Sequence, residues 1–216
     1  KSLNEVYKEN KNKILNEILT DTELKEISKK EKWEEKEKKK LEKNESKSDT
    51  KTEKPKRVFV LDFNGDIAAS AVTVFREQVT ALLQTARPCD EVVVRLESPG
   101  GMVHAYGLAS SQLARIKDQK IPLTICVDKV AASGGYMMAC LADKIIAAPF
   151  AILGSIGVIA SLPNLHKLLN KNDIEYLEIT AGEFKRTLTP LGEITDKKKA
   201  KFQEQIEEIR QNKHLT

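Results

Sequence analysis

From Arg57 onward the chain alternates short apolar runs with stretches of helical periodicity, and this alternation narrows the possible folds more than any other feature. The runs at 58–63, 91–96 and 122–127 are almost uninterrupted and rich in Val, Ile and Phe, as expected of strands buried on both faces. Between them, residues 71–85 set Val72, Phe75, Val79, Leu82 and Leu83 on one helical face, and residues 106–117 predict a second helix. The pattern continues with a helix over 132–141, strands over 144–147 and 156–160, a helix over 165–170, a strand over 176–179 and an amphipathic helix over 196–211. Strands separated by helices of this length predict an α/β domain with a mostly parallel sheet. No internal repeat is visible.

Charge divides the chain in two. Residues 1–56 hold 17 Lys and 14 acidic residues, so 31 of 56 positions are charged. Residues 57–216 carry 19 Lys/Arg and 18 acids over almost three times the length. The net +4 falls as +3 and +1, without the dominant basic face that nucleic-acid binding demands. Residues 1–56 read as a charged helical and linker segment: a ragged apolar stripe over 3–28, a Lys/Glu run over 29–43, then a Ser/Thr/Lys-rich tether ending at Pro55. Residues 57–216 read as the folded core. Cys89, Cys126 and Cys140 form no CxxC pair, and Cys126 and Cys140 are expected to be buried thiols. The uncharged stretch 145–165 is long enough to cross a bilayer, but Pro149, Gly154, Gly157 and Pro163 interrupt it, so buried strands joined by a tight turn explain it better.

Two glycine-marked breaks follow predicted strands, where loops of α/β folds expose backbone N–H groups. One is Glu97-Ser98-Pro99-Gly100-Gly101; the other is Ala131-Ala132-Ser133-Gly134-Gly135. A serine at a helix start is ordinarily an N-cap, and SPGG is ordinarily a turn. Together they are consistent with acyl transfer, one break supplying a nucleophile and the other the donors for an oxyanion. The base is less legible. His104, His166 and His214 occupy no obvious triad setting, and a lysine base must be desolvated. Lys129, Lys144 and Lys185 stand outside the charge clusters; Lys129, four residues before Ser133, is the main rival to Lys185, and spacing does not choose between those two.

Four motifs in order carry a resemblance over Arg57 to roughly Glu208: Leu96-Glu97-Ser98-Pro99-Gly100-Gly101, Val127-Asp128-Lys129-Val130-Ala131-Ala132-Ser133-Gly134-Gly135-Tyr136, Gly154-Ser155-Ile156-Gly157-Val158 and Gly182-Glu183-Phe184-Lys185-Arg186. The chain resembles the S49 serine peptidases, the family of signal-peptide-peptidase-like enzymes. The resemblance implies a ClpP/crotonase-like spiral of ββα units and a Ser–Lys dyad working through an acyl-enzyme. Ser133 would be the nucleophile, Lys185 the general base and Ser155 the group that orients the lysine. The N–H groups of Gly101 and Gly134 would form the oxyanion hole. It also implies peptide or protein substrates, no metal or organic cofactor and assembly into a homo-oligomer. Location would be the bacterial inner membrane, with the catalytic part facing the periplasm and the membrane anchor and C-terminal continuation outside this chain. Two other classes stay open: a crotonase-fold acyl-CoA hydratase or isomerase, and a non-catalytic membrane scaffold acting through residues 1–56.

Overall fold

The computed structural model describes residues 2–45, 55–181 and 185–212. The chain divides into two compact units, Lys1–Pro55 and Lys56–Thr216. Most of the predicted tether, residues 46–54, lies outside the described residues.

The first unit is two helices, α1 (Leu3–Ile18) and α2 (Asp21–Glu45). Ser2 caps α1 by accepting the Glu5 N–H at 3.4 Å. Thr20 opens α2, giving both its N–H (2.9 Å) and its hydroxyl (2.7 Å) to the Glu23 carboxylate. Lys11 joins the helices by pairing with Glu31 at 3.3 Å. The Lys/Glu run over 29–43, where the apolar stripe gives out, is helical as part of α2. Lys and Glu are good helix formers, and their i,i+4 pairing supports a helix that buries little.

The second unit contains β1 (Val58–Asn64), α3 (Val72–Thr85), β2 (Glu91–Glu97), α4 (Val103–Asp118), β3 (Leu123–Val127), β4 (Val130–Ala132), α5 (Gly134–Ala139), β5 (Lys144–Ala147), β6 (Ile152–Gly154), α6 (His166–Lys171) and α7 (Asp196–Asn212). Strands β1, β2, β3 and β5 form a parallel sheet in that order. The mixed α/β class and the parallel sheet are those that the strand–helix alternation predicts. A second parallel pair, β4–β6, is joined to the end of β2 by a bridge between Ser98 and Ala131. Phe63, Phe75, Leu96, Tyr106, Leu113, Ile116 and Ile125 are fully buried in the core. Phe63 and Phe75 meet edge to face with ring centroids 5.3 Å apart.

Asp90 fastens the start of this unit. It is fully buried between Arg57 and Arg87. It accepts both backbone N–H groups (3.0 and 2.8 Å) and guanidinium bonds from both side chains (2.6 and 2.9 Å). The two guanidinium groups, side-chain bonds from Arg57 first, hold its carboxyl far below the usual aspartate range.

Four sequence expectations change. The strand predicted at 156–160 forms instead at 152–154. Its register with β4 is Val130 to Ile152, and Gly154 (φ +110°) and Ser155 (φ +55°) then turn the chain out of the extended region. Residues 176–179 form no strand, since no neighbouring strand among the described residues pairs with them. Most side chains of 145–153 are exposed rather than buried: Ile145, Ile146, Ile152 and Leu153 all face solvent, and Phe150 is 97% accessible. Cys140 is likewise exposed and Cys126 only half-buried, because Cys140 sits at the end of the short α5.

Candidate active site

The site is built at the ends of β2 and β4. Ser98 leaves β2 and is hydrogen-bonded along β4 on both backbone groups: its N–H to Val130 O at 2.8 Å, its O from Ala132 N–H at 2.9 Å. Both glycine-marked breaks therefore lie side by side. Beyond Ala132 the chain passes from strand to helix through one residue, Ser133, whose φ of +51° and ψ of −115° lie outside the regions a side chain prefers. A serine raised on a strained strand-to-helix turn presents its hydroxyl rather than using it locally. Ser133 bears this out, since its side chain makes no cap hydrogen bond to α5. The N-cap reading of this serine therefore fails.

The glycines around Ser133 are required by space. A Cβ on Gly100, where φ is +88°, would lie 2.6 Å from Ser133 Cβ and 2.8 Å from Gly134 N. One on Gly135 would lie 2.7 Å from Ser98 O, and one on Gly134 would run into the Tyr106 ring. Each approach is closer than real Cβ atoms show, so the two breaks pack backbone against backbone.

Donors follow from that packing. Gly134 is the first residue of α5, among the N–H groups that no carbonyl within the helix can satisfy. Gly101 lies between two committed neighbours: Gly100 N–H donates to Ser98 Oγ at 3.0 Å, and Met102 N–H to Ile67 O at 2.8 Å. Among the described residues the Gly101 N–H has no such acceptor. The Ser133 N–H is taken by Gly154 O at 2.8 Å, which brings Ser155, the next residue, to the neighbourhood of Ser133. Ser155 is exposed, with φ of +55°.

Of the two lysines, Lys129 is ion-paired with Glu97 at 3.0 Å and largely exposed. Lys185 is also exposed, and residues 182–184, which complete its motif, lie outside the described residues. Beside it Arg186 pairs with Glu178 at 3.5 Å, and buried Thr187 donates to Gln205 at 3.3 Å. Among the described residues no hydrogen bond joins Lys185 to Ser133 or Ser155. Ser133, Gly101, Gly134 and Ser155 are thus gathered at one place, while Lys185 is not bonded to them.

Residues 1–113 match the family described as Peptidase family S49 N-terminal, and residues 115–213 match Peptidase family S49. The chain belongs to peptidase family S49. It is 62% identical over 156 residues to a Haemophilus influenzae protein named "Probable protease SohB", covering 72% of this chain and 44% of that one. It is 47% identical over 203 residues to a protein of the same name from Buchnera aphidicola subsp. Schlechtendalia chinensis, covering 93% of this chain and 67% of the relative. The S49 chain therefore spans about half to two thirds of the length of these curated relatives. Among solved structures, a 1510-N membrane-bound stomatin-specific protease in complex with a substrate peptide is 26% identical, with a TM-score of 0.39 over 50% of this chain and 48% of its own.

Two residues of the S49 chain matter more than their sequence positions announce. Ser98, which reads as a turn residue, and Tyr106, which reads only as the start of a helix, are both fully buried beneath the loops. Their oxygens are 2.5 Å apart, and Tyr106 also donates to Asp66 O at 2.7 Å. Burial pushes the Tyr106 phenol above its ordinary range, further from ionisation. The available signal was a tyrosine five residues past SPGG, the one aromatic residue of its helix.

Proposed function

We propose that this chain is the catalytic core of a serine endopeptidase in which Ser133 attacks the scissile carbonyl and Lys185 accepts its proton. The observation that carries the reading is the backbone of Ser133, held at φ +51° between β4 and α5 with its hydroxyl uncommitted. Attack forms the Ser133 Oγ–C bond as the Oγ proton passes to the neutral amine of Lys185. The oxyanion gathers at the N–H groups of Gly101 and Gly134. The lysine then gives its proton to the leaving amine, and a water deprotonated by the same amine releases the acyl group. Ser155 holds the lysine in line. Peptides or membrane-associated proteins, such as signal-peptide remnants, are the proposed substrates. This reading needs Lys185 brought to Ser133 and shielded from water. The exposed apolar side chains of β5, Phe150 and β6 support a homo-oligomer that covers them in the intact, membrane-anchored protein at the inner membrane, its catalytic part facing the periplasm.

Intact-mass analysis after incubation with a fluorophosphonate tests the dyad. The parent should gain one adduct, and Ser133→Ala and Lys185→Ala should gain none, because the pair acts as a unit. Labelling that survives Ser133→Ala would exclude Ser133 as the nucleophile. Labelling that survives Lys185→Ala at the parent rate would move the base elsewhere.

A further inference from the structure

Beneath the candidate oxyanion hole runs a chain of hydrogen bonds with a single possible direction. The Asp66 carbonyl can only accept, so the single proton of Tyr106 goes to it at 2.7 Å. Tyr106 Oη must then accept in its 2.5 Å contact with Ser98, so the Ser98 hydroxyl donates. Ser98 Oγ in turn accepts the Gly100 N–H at 3.0 Å. The order is Gly100 N–H to Ser98 Oγ–H to Tyr106 Oη–H to Asp66 O, with every donor used. Ser98 and Tyr106 are both fully buried, so no water substitutes for a lost member.

The same two side chains touch the other loop. The Tyr106 ring lies against Gly134 so closely that no Cβ fits there, and Ser98 O and Cβ fill the space beside Gly135 (2.7 and 2.9 Å from a Cβ placed on it). Tyr106 thus meets the 98–101 loop through its hydroxyl and the 133–135 turn through its ring. Bonding Gly100 N–H to Ser98 also leaves the Gly101 N–H as the next donor outward.

We infer that Ser98 and Tyr106 are positioning residues that set the spacing of the Gly101 and Gly134 N–H donors, a role that rests on the serine peptidase reading above. The pair touches no substrate. It acts by holding two backbone segments at the separation an oxyanion requires, and small displacements of such groups cost rate steeply.

The test is the time course of fluorophosphonate labelling at Ser133, in the whole chain, for the parent, Tyr106→Phe, Ser98→Ala and the double variant. Rates at several probe concentrations separate the limiting rate from the apparent binding constant. Circular dichroism gives the folded fraction by which each rate is normalised. Because the phosphoryl oxygen of the probe occupies the oxyanion position, the limiting rate should fall about tenfold to a hundredfold in Tyr106→Phe, with binding little changed. The double variant should be no slower than the slower single variant, since either change breaks the same chain. Normalised rates equal to the parent's in both single variants would overturn the inference and leave the peptidase reading intact, as would losses that multiply in the double variant. A parent without Ser133-dependent labelling would overturn the peptidase reading, and this inference with it. Ser98→Ala, which removes one atom and cannot overpack, carries the test if Tyr106→Phe is poorly folded.

Discussion

Two regions of the folded unit are finished in different ways. Around Ser98, Gly101 and Ser133, polar groups are paired inward, glycines let backbones touch, and the buried Tyr106 ring fills the space against Gly134. Along the outward faces of β5, Phe150 and β6, the side chains of Ile145, Ile146, Phe150, Ile152 and Leu153 are as apolar as any core residue, yet they face solvent. The difference shows that apolar sequence is not enough to make a core. Burial also needs a partner surface, and the described residues leave these side chains largely uncovered.

Substitutions can break this contrast. Phe63→Ala or Leu113→Ala should cost about 3–5 kcal/mol in denaturant unfolding, since both side chains are fully enclosed and leave cavities. Gly134→Val comes next, at about 1–3 kcal/mol or more, because its side chain must displace the Tyr106 ring. The midpoint of urea unfolding measures both. Ser133→Gly should move the midpoint the other way, by about 1 kcal/mol, because glycine tolerates the φ of +51° that strains serine. The same change removes the proposed nucleophile, so stability gained with labelling lost would be the signature of strain held for function. Phe150→Ala should alter the isolated chain's stability by less than about 0.5 kcal/mol, as the ring has nothing to lose. A loss comparable to that of Phe63→Ala would show that this apolar face is covered in solution.

Acid should act through Asp90. Its folded-state carboxyl titrates far below the unfolded value, so the folded state binds fewer protons. The stability it provides is present above the unfolded aspartate range, near pH 4, and is lost as pH falls below that range toward the folded-state value. In Asp90→Asn the fall in unfolding midpoint between pH 5 and pH 2 should be shallower than in the parent. An unchanged slope would remove Asp90 from the acid response.

Much of the fold could be read along the chain. The positions of β1, β2, β3, α3 and α7 follow from apolar periodicity, which reports burial on neighbouring elements. The strand at β4 escaped notice because Val130, Ala131 and Ala132 are too few and too small to signal one, and they pair only because Ser98 and β6 flank them. The misplaced 156–160 strand has the opposite cause: its composition suits a strand, but the backbone turn at Gly154 and Ser155 comes first. At the candidate site, SPGG and ASGG come to lie side by side, since glycine and small residues are what close backbone packing allows. Tyr106 did not stand out, because its buried hydroxyl is placed by reaching Asp66, 40 residues earlier in the chain.

The sequence by itself determined the alternating elements, the charged N-terminal helices and the two breaks where a hydroxyl and backbone donors could meet. Those features depend on neighbours within a few turns or one strand length. The tertiary structure alone decided that Ser133 sits at a strained φ, that Ser98 and Tyr106 tie the breaks together, and that the apolar strands β5 and β6 lie open. Such outcomes depend on which surfaces arrive beside one another, and distant contacts leave no periodic trace in the order of residues.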